Sequence, residues 1–209
     1  MSEIEREFKW AVEKEEDFGT FVSVLKSVLE APATEKMLHI HDAYLERPDG
    51  ALSAEKVALR IRETDGKFEA TLKTRTRLIN GLACRKELTL PLPLAENFEQ
   101  ALQSLKQRQE WEGVALADLQ VKFKIKNCRK LYEFSYKTAR CEAALDRYVI
   151  EAEGKALACR EIELELKEGA EKDFEELVLL LSQKSGLLPA RISKVATAEK
   201  MLCRQIRSA

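Results

Sequence analysis

Two stretches of the chain place a carboxylate at every second position, Glu3, Glu5 and Glu7 near the start and Glu161, Glu163 and Glu165 near the end. In an extended strand that spacing puts all three on one face, where like charges repel unless something neutralises them. A hard divalent cation held by carboxylate oxygens would do so. Other stretches offer cations at the same period: Arg60 with Arg62, Lys73 with Arg75, and Lys9 just beyond the first carboxylates. Guanidinium forks and lysine point charges on one surface suit a polyanion, and carboxylates, metal and a basic clamp together are the means of phosphoryl transfer. The same runs also fit charged strand faces that are simply solvated, which is the commoner use of such residues.

Side-chain alternation identifies the elements that position these groups. Phe68, Ala70 and Leu72 share one face while Glu69, Thr71 and Lys73 take the other; Leu59 and Ile61 oppose Arg60 and Arg62 in the same way. At 129–137, Tyr132, Phe134 and Tyr136 oppose Arg129, Glu133 and Lys137, and at 159–167, Ile162, Leu164 and Leu166 oppose the glutamates. Turn signals separate the runs: PDG at 48–50, DG at 65–66, NG at 80–81 and Glu153-Gly154. Helical periodicity predicts helices over 14–31, 94–111, 171–186 and 194–206. Strands that carry both a strongly apolar and a strongly charged face are reconciled if the sheet curls, with the charged faces lining a lumen and amphipathic helices covering the outside. The expected fold is therefore α+β, a mostly antiparallel sheet closed around a charged interior.

Composition narrows the function. The chain has 209 residues, 45% of them hydrophobic and 34% charged, which suits one folded domain over 1–209. Its 35 Lys+Arg nearly cancel 36 Asp+Glu, so the global basic excess of a non-specific nucleic-acid binder is missing. The longest apolar runs fall short of a bilayer span, and the charged start MSEIEREF is unlike a secretory signal, so a cytoplasmic protein with no membrane or nucleic-acid partner is expected. Five widely spaced cysteines, Cys84, Cys128, Cys141, Cys159 and Cys203, form no CxxC pair and read as reduced thiols. His39 and His41 read as ordinary strand residues.

In order along the chain, Glu5-Arg6-Glu7-Phe8-Lys9 (ExExK), Ala58-Leu59-Arg60-Ile61-Arg62, Ala70-Thr71-Leu72-Lys73, Cys84-Arg85-Lys86-Glu87, Arg160-Glu161-Ile162-Glu163-Leu164-Glu165 and Ile192-Ser193-Lys194 resemble the CYTH family, the triphosphate tunnel metalloenzymes. The resemblance covers nearly the whole chain. It implies a closed antiparallel eight-stranded β-barrel forming a tunnel, with Mg²⁺ or Mn²⁺ as cofactor. It further implies metal binding by Glu5, Glu7, Glu161, Glu163, Glu165 and Asp146. Phosphate contacts would come from Lys9, Arg60, Arg62, Lys73, Arg85, Arg129 and Lys194, and a tunnel carboxylate role from Glu87, with Lys9, Glu7 and Glu87 nearest the chemistry. Glu3 and Glu5 offer a second ExE register, but only the later one puts a lysine at the fifth position.

The function so implied is metal-dependent hydrolysis of a small-molecule triphosphate, by a monomer or homodimer. Thiamine recognition would call for an aromatic stacking surface, for which Trp10, Trp111 and Tyr148 are candidates. Cyclase chemistry would call for a base pocket that the sequence does not signal. Inorganic triphosphate is favoured by elimination. A module that binds polyphosphate or a phosphorylated protein without turnover is the alternative of another class.

Overall fold

The computed structural model describes residues 2–79, 82–190 and 192–203. The chain runs β1 (Ser2–Ala11), α1 (Glu16–Val28), β2 (Thr34–Glu46), α2 (Ala51–Glu55), β3 (Ala58–Thr64), β4 (Lys67–Lys73), β5 (Arg77–Ile79) and β6 (Leu82–Pro91). It continues α3 (Phe98–Lys106), β7 (Glu110–Trp111), β8 (Val114–Ala115), β9 (Gln120–Tyr136), β10 (Ala139–Ala152), β11 (Lys155–Glu168), α4 (Glu171–Ser185) and α5 (Lys194–Cys203). Eight strands pair antiparallel in the order β1-β11-β10-β9-β2-β3-β4-β6, and pairing of β1 with β6 closes the ring. The short β5 flanks β6 beyond the end of β4.

Closure follows from the alternation. Each barrel strand sends one set of side chains outward, and the outward sets are the apolar ones. Phe18, Phe21 and Leu25, one helical turn apart on α1, pack with Phe174, Leu177 and Leu181 of α4 against Trp10, Tyr132, Phe134, Ile162 and Leu164. The indole of Trp10 donates to Ser182 Oγ at 2.9 Å, satisfying the one polar atom of a fully buried ring. On the opposite wall, Ala101 and Leu105 of α3 cover Leu59, Ile61, Ala70 and Leu72. The core therefore lies outside the barrel.

Helix and turn boundaries have local causes. The predicted helix over 94–111 begins only at 98 because Asn97 caps it, its side chain accepting from Gln100 N at 3.0 Å, and it ends before the small β7–β8 hairpin. The PDG turn leads first into the short α2, which the sequence reading had passed over, and only then into β3. Asp65-Gly66 and Glu153-Gly154 are tight turns with positive φ at both residues, as their sequences required. The Asn80-Gly81 turn lies outside the described residues, as do 204–206 of the last predicted helix. Gly169, between β11 and α4, has φ +100 and passes so close to the β9–β10 turn that a Cβ there would meet Thr138 O at 2.0 Å.

The last element changes the shape of the interior. Val195, Ala198, Met201 and Leu202 of α5 pack with Tyr44 of β2, Phe123 and Ile125 of β9, and Tyr148 and Ile150 of β10. These strand residues share the inward register of Asp42, Asn127, Arg129 and Asp146, so the inner wall turns from charged to apolar toward one end. There α5 seals the barrel with a hydrophobic plug in which Tyr44 and Phe123 stack at 4.6 Å.

Candidate functional site

The charged faces meet in a cavity of about 240 Å³ inside the barrel. Strand β1 delivers Glu5, Glu7 and Lys9 to its wall, β3 delivers Arg60 and Arg62, β4 Lys73, β6 Arg85 and Glu87, β9 Arg129, and β11 Glu163 and Glu165. Lys194, the first residue of α5, reaches it from the plugged end. Regular alternation on neighbouring strands is enough to bring these residues together. Glu7 pairs across from Glu165, Lys9 from Glu163 and Lys73 from Glu87.

Within the cavity every wall cation lies against a carboxylate. Glu5 accepts from Lys73 Nζ at 2.9 Å and from Arg85 Nε at 2.5 Å, while Arg85 Nη2 reaches Glu7 at 2.9 Å and Lys73 reaches Glu87 at 2.6 Å. A second cluster surrounds Glu163, which accepts from Lys9 at 2.6 Å, Lys194 at 2.7 Å and Arg129 at 2.6 Å. Glu161 accepts from Lys194 at 2.8 Å and Lys9 at 3.3 Å, and Asp146 holds Arg129 through both oxygens at 2.7 and 2.6 Å. Lys9, 3.2 Å from Glu7, joins the two clusters. A third pairing lies on the far wall, where Asp42 takes a two-pronged bond from Arg62, 2.8 Å at each oxygen, with Arg60 at 3.7 Å.

The charges shift one another. Burial works to raise the carboxyls of Glu5, Asp42, Asp146 and Glu163, but adjacent cations outweigh it and hold all four below the ordinary range. Glu161 goes the other way. Burial, with repulsion from Glu163, pushes it up to about 7 despite Lys194 and Lys9. Lys73 is lowered, first by burial and then by Arg85 and Arg60, whereas Lys9 is raised because Glu163, Glu161 and Glu7 outweigh burial, and Lys194 because Asp146, Glu161 and Glu163 do.

The structure gathers the expected residues with two qualifications. Asp146, fully buried, and Glu161, 4% exposed, lie behind the cavity wall, where they hold Arg129, Lys194 and Lys9. Of the charged residues expected to share a face over 129–137, only Arg129 lines the cavity. Glu133 lies on the same face, across from the cavity residue Glu142, but is exposed and pairs with Lys36, and Lys137, in the turn after β9, pairs with Glu176. Arg75 lies in an exposed connection after β4. The Glu3 side chain falls outside the described residues. The three aromatic candidates are all packing residues: Trp10 in the outer core, Trp111 against the α3 cluster, and Tyr148 in the plug with Lys194 Nζ 5.1 Å from its ring centre. Among the described residues Tyr44 is the one aromatic on the cavity wall.

The sequence reading missed Asp42, Tyr44 and Asn127. Each sits singly among inward-facing apolar neighbours such as Ile40 and Ile125, so no run of like residues drew attention to them.

The wall carboxylates suit a hard divalent cation by donor chemistry, since Glu5, Glu7, Glu163 and Glu165 lie on two adjacent strands and offer only oxygen. As they stand, no three of them converge on one point among the described residues, because each is drawn toward a cation. A polyanion that took those cations would leave Glu5, Glu7 and Glu163 without counter-charge beside Glu165, which lies 2.9 Å from Lys167. Under that condition the residues fit a hard divalent cation.

Comparison with known proteins agrees with this geometry. Residues 3–198 match the family described as CYTH domain. An inorganic triphosphatase from Haemophilus influenzae is 31% identical over 141 residues, 68% of this chain; the chain spans only 40% of that relative's length. Among solved structures, HpAC1 from Hippeastrum, which has a dominant triphosphatase activity, superposes with a TM-score of 0.65 at 20% identity, covering 94% of this chain and 95% of its own. The PH1819 protein of Pyrococcus horikoshii superposes with a TM-score of 0.63 at 18% identity, covering 94% and 99%. At these identities the two structures establish a common fold.

Proposed function

Since this chain belongs to the CYTH domain family, we propose that it hydrolyses a terminal phosphoanhydride of a small triphosphate, with inorganic triphosphate the preferred substrate and residues 1–209 acting as one unit. The observation that carries the proposal is the convergence of Lys9, Arg60, Arg62, Lys73, Arg85, Arg129 and Lys194 on one cavity. Seven cations from five strands and a helix serve no packing purpose, and holding them there requires an equal investment in buried carboxylates.

The residues divide the work by position. Arg60 and Arg62, backed by Asp42, and Arg129, backed by Asp146, present forks for phosphate oxygens. Lys73, lowered by burial and by Arg85, would be favoured in its charged form by an arriving anion. Lys9 and Lys194, at the plugged end, neutralise charge on the innermost phosphoryl group. The anion competes with Glu5, Glu7 and Glu163 for these cations, and the carboxylates it releases, together with Glu165, would hold Mg²⁺ or Mn²⁺. Bound there, the metal supplies charge stabilisation to the phosphate oxygens. Substrate and metal binding would therefore reinforce each other. Glu87, tied to Lys73, sits where it can steer that lysine or hold a water.

The cavity favours a substrate without an organic head group. Tyr44 lies at the plugged end with the aliphatic residues Ile125 and Val195, and most of the remaining wall is charged, so neither thiazolium nor nucleobase finds a second aromatic surface to stack on. The test is phosphate release from inorganic triphosphate, thiamine triphosphate and ATP in parallel, with Mg²⁺, Mn²⁺ or EDTA, alongside an assay for cyclic AMP. Metal-dependent release greatest from inorganic triphosphate is expected. Tripolyphosphate-induced thermal stabilisation without release from any substrate would instead make the barrel a binding module.

A further inference from the structure

Like charges directly across from one another in a sheet are destabilising, and one row on the inward face of the barrel is made of them. Glu7 on β1 stands across from Glu165 on β11, Glu165 across from Glu142 on β10, and Glu142 across from Glu133 on β9. Because barrel strands tilt, such a row also climbs along the axis. Side-chain exposure changes with it, from 5% at Glu7 to 29% and 28% at Glu165 and Glu142 and 41% at Glu133. The row is a ramp from the cavity to its open rim. Lys167 lies 2.9 Å from Glu165 and 3.9 Å from Glu142, and Lys36 lies 3.5 Å from Glu133. Ion pairs this exposed contribute little to stability, so the row has no ready explanation in the fold.

The opposite end of the cavity is closed. Tyr44, Phe123 and Tyr148 pack there with Val195 and Ala198 of α5, so an anion drawn in to Lys9, Lys194 and Arg129 extends from them toward the rim. On β10 the step from Asp146, which grips Arg129, to Glu142 is four residues, about 13 Å along the strand and about 10 Å along the axis at a tilt of about 40°. Three linked phosphoryl groups fill that depth, and a fourth passes beyond it onto Glu142 and Glu133. The facing lip carries Glu69, Glu87, Thr89 and Pro91, so a longer chain meets carboxylate on that side too. We infer that Glu142 and Glu133 determine chain-length specificity: they admit a triphosphate whole and oppose the seating of longer linear polyphosphates.

A merely solvated strand face accounts for the row less well, since such a face gains by placing opposite charges across from one another. Glu165 belongs with the carboxylates proposed above to hold the metal, and a cation there would mask its charge. Glu142 and Glu133 stand farther out on the ramp and keep theirs. The selection acts by repulsion alone, so removing the charge should widen the range of substrates without weakening the preferred one.

The inference rests on the triphosphatase reading, and the experiment separates the two. Initial phosphate release from inorganic triphosphate and linear tetraphosphate is measured with Mg²⁺ for the wild-type chain, Glu142→Gln, Glu133→Gln and the double variant, alongside thermal melts with each ligand. The wild type should show a kcat/KM at least about 10-fold lower for tetraphosphate than for triphosphate. The double variant should narrow that gap about 5-fold or more through a lower KM for tetraphosphate, with kcat and KM for triphosphate within about 2-fold of wild type. Tetraphosphate turned over as well as triphosphate by the wild type, or a gap unchanged in the double variant, overturns the inference. So does a double variant that loses triphosphate turnover or needs more Mg²⁺, which would assign the two residues to the metal. If the wild type releases no phosphate from triphosphate, the triphosphatase reading fails and the melts decide: triphosphate should still raise the melting point more than tetraphosphate, and equal shifts would overturn the inference. Should the double variant not fold, the single variants are read against the same gap, and no narrowing in either counts against it.

Discussion

Asp146→Asn perturbs the wall cluster at a residue that does not itself reach the cavity. The Asp146 carboxylate is fully buried and holds Arg129 at 2.7 and 2.6 Å and Lys194 at 2.8 Å. Removing one partner of a buried ion pair costs about 3–5 kcal/mol. The lower figure applies here, because Arg129 keeps Glu163 at 2.6 Å and Lys194 keeps both Glu161 and Glu163. For a chain of this size about 3 kcal/mol corresponds to a fall in melting temperature of roughly 6–12 °C. Differential scanning fluorimetry with and without inorganic triphosphate reads both consequences. The variant should melt lower than wild type and gain more from the ligand, since its two undercompensated cations bind the anion more tightly; the wild type itself gains roughly 3 kcal/mol at 100-fold over its dissociation constant. A melting point within 2 °C of wild type, or a smaller ligand shift in the variant, would refute the view that the carboxylates and the substrate compete for the same cations.

Gly169→Ala forces a Cβ to within 2.0 Å of Thr138 O at φ +100, and a loss of at least ~2 kcal/mol in urea unfolding is expected. Ala198→Asp puts a charge into the fully buried plug under α5; it should lift Lys194 away from Asp146 and Glu163 and raise KM for inorganic triphosphate about 10-fold or more, the worth of one charge-assisted hydrogen bond. Because Glu5, Asp42, Asp146 and Glu163 all have carboxyls held below their unfolded values, their stabilisation is present above about pH 4.5 and lost as the pH falls through the lower folded values. Glu161, raised to about 7, and Glu165, raised by burial, work in the opposite sense above about pH 4.5, two groups against four. Denaturant midpoints measured from pH 3 to 8 should therefore drop steeply on the acid side, and a flat acid limb would contradict these assignments.

How far the site could be read in advance depended on repetition. Where charge recurs at every second residue, as in Glu5-Glu7-Lys9, Arg60-Arg62 and Glu161-Glu163-Glu165, alternation alone places the side chains on one face, and the barrel brings the faces together. The inversion of the barrel, with its core outside, was legible for the same reason: Leu59 and Ile61 or Leu164 and Leu166 had to be covered by something, and the amphipathic helices were available. Alternation failed where a single strand changes character along its length. On β2 and β9 the inward face runs from Asp42 and Asn127 into Tyr44, Ile125 and Phe123, so the equation of apolar with outward breaks down under α5. Asp42 and Asn127 were hidden there, and Tyr148 looked like a mouth residue though it belongs to the plug. Asp146 could be named from the family resemblance, but only the three-dimensional arrangement shows that it grips Arg129 and Lys194 from behind the wall.

The most direct test of the central claim compares phosphate release from inorganic triphosphate by the wild-type chain and by Glu7→Gln, each with Mg²⁺ and with EDTA. Glu7 is 4% exposed, contacts Arg85 and Lys9, and stands across from Glu165 on the carboxylate wall. The account predicts rapid release by the wild type that EDTA abolishes and a loss of about 100-fold in Glu7→Gln, with the variant still stabilised by triphosphate. Equal release by the two proteins, or release indifferent to EDTA, would contradict it.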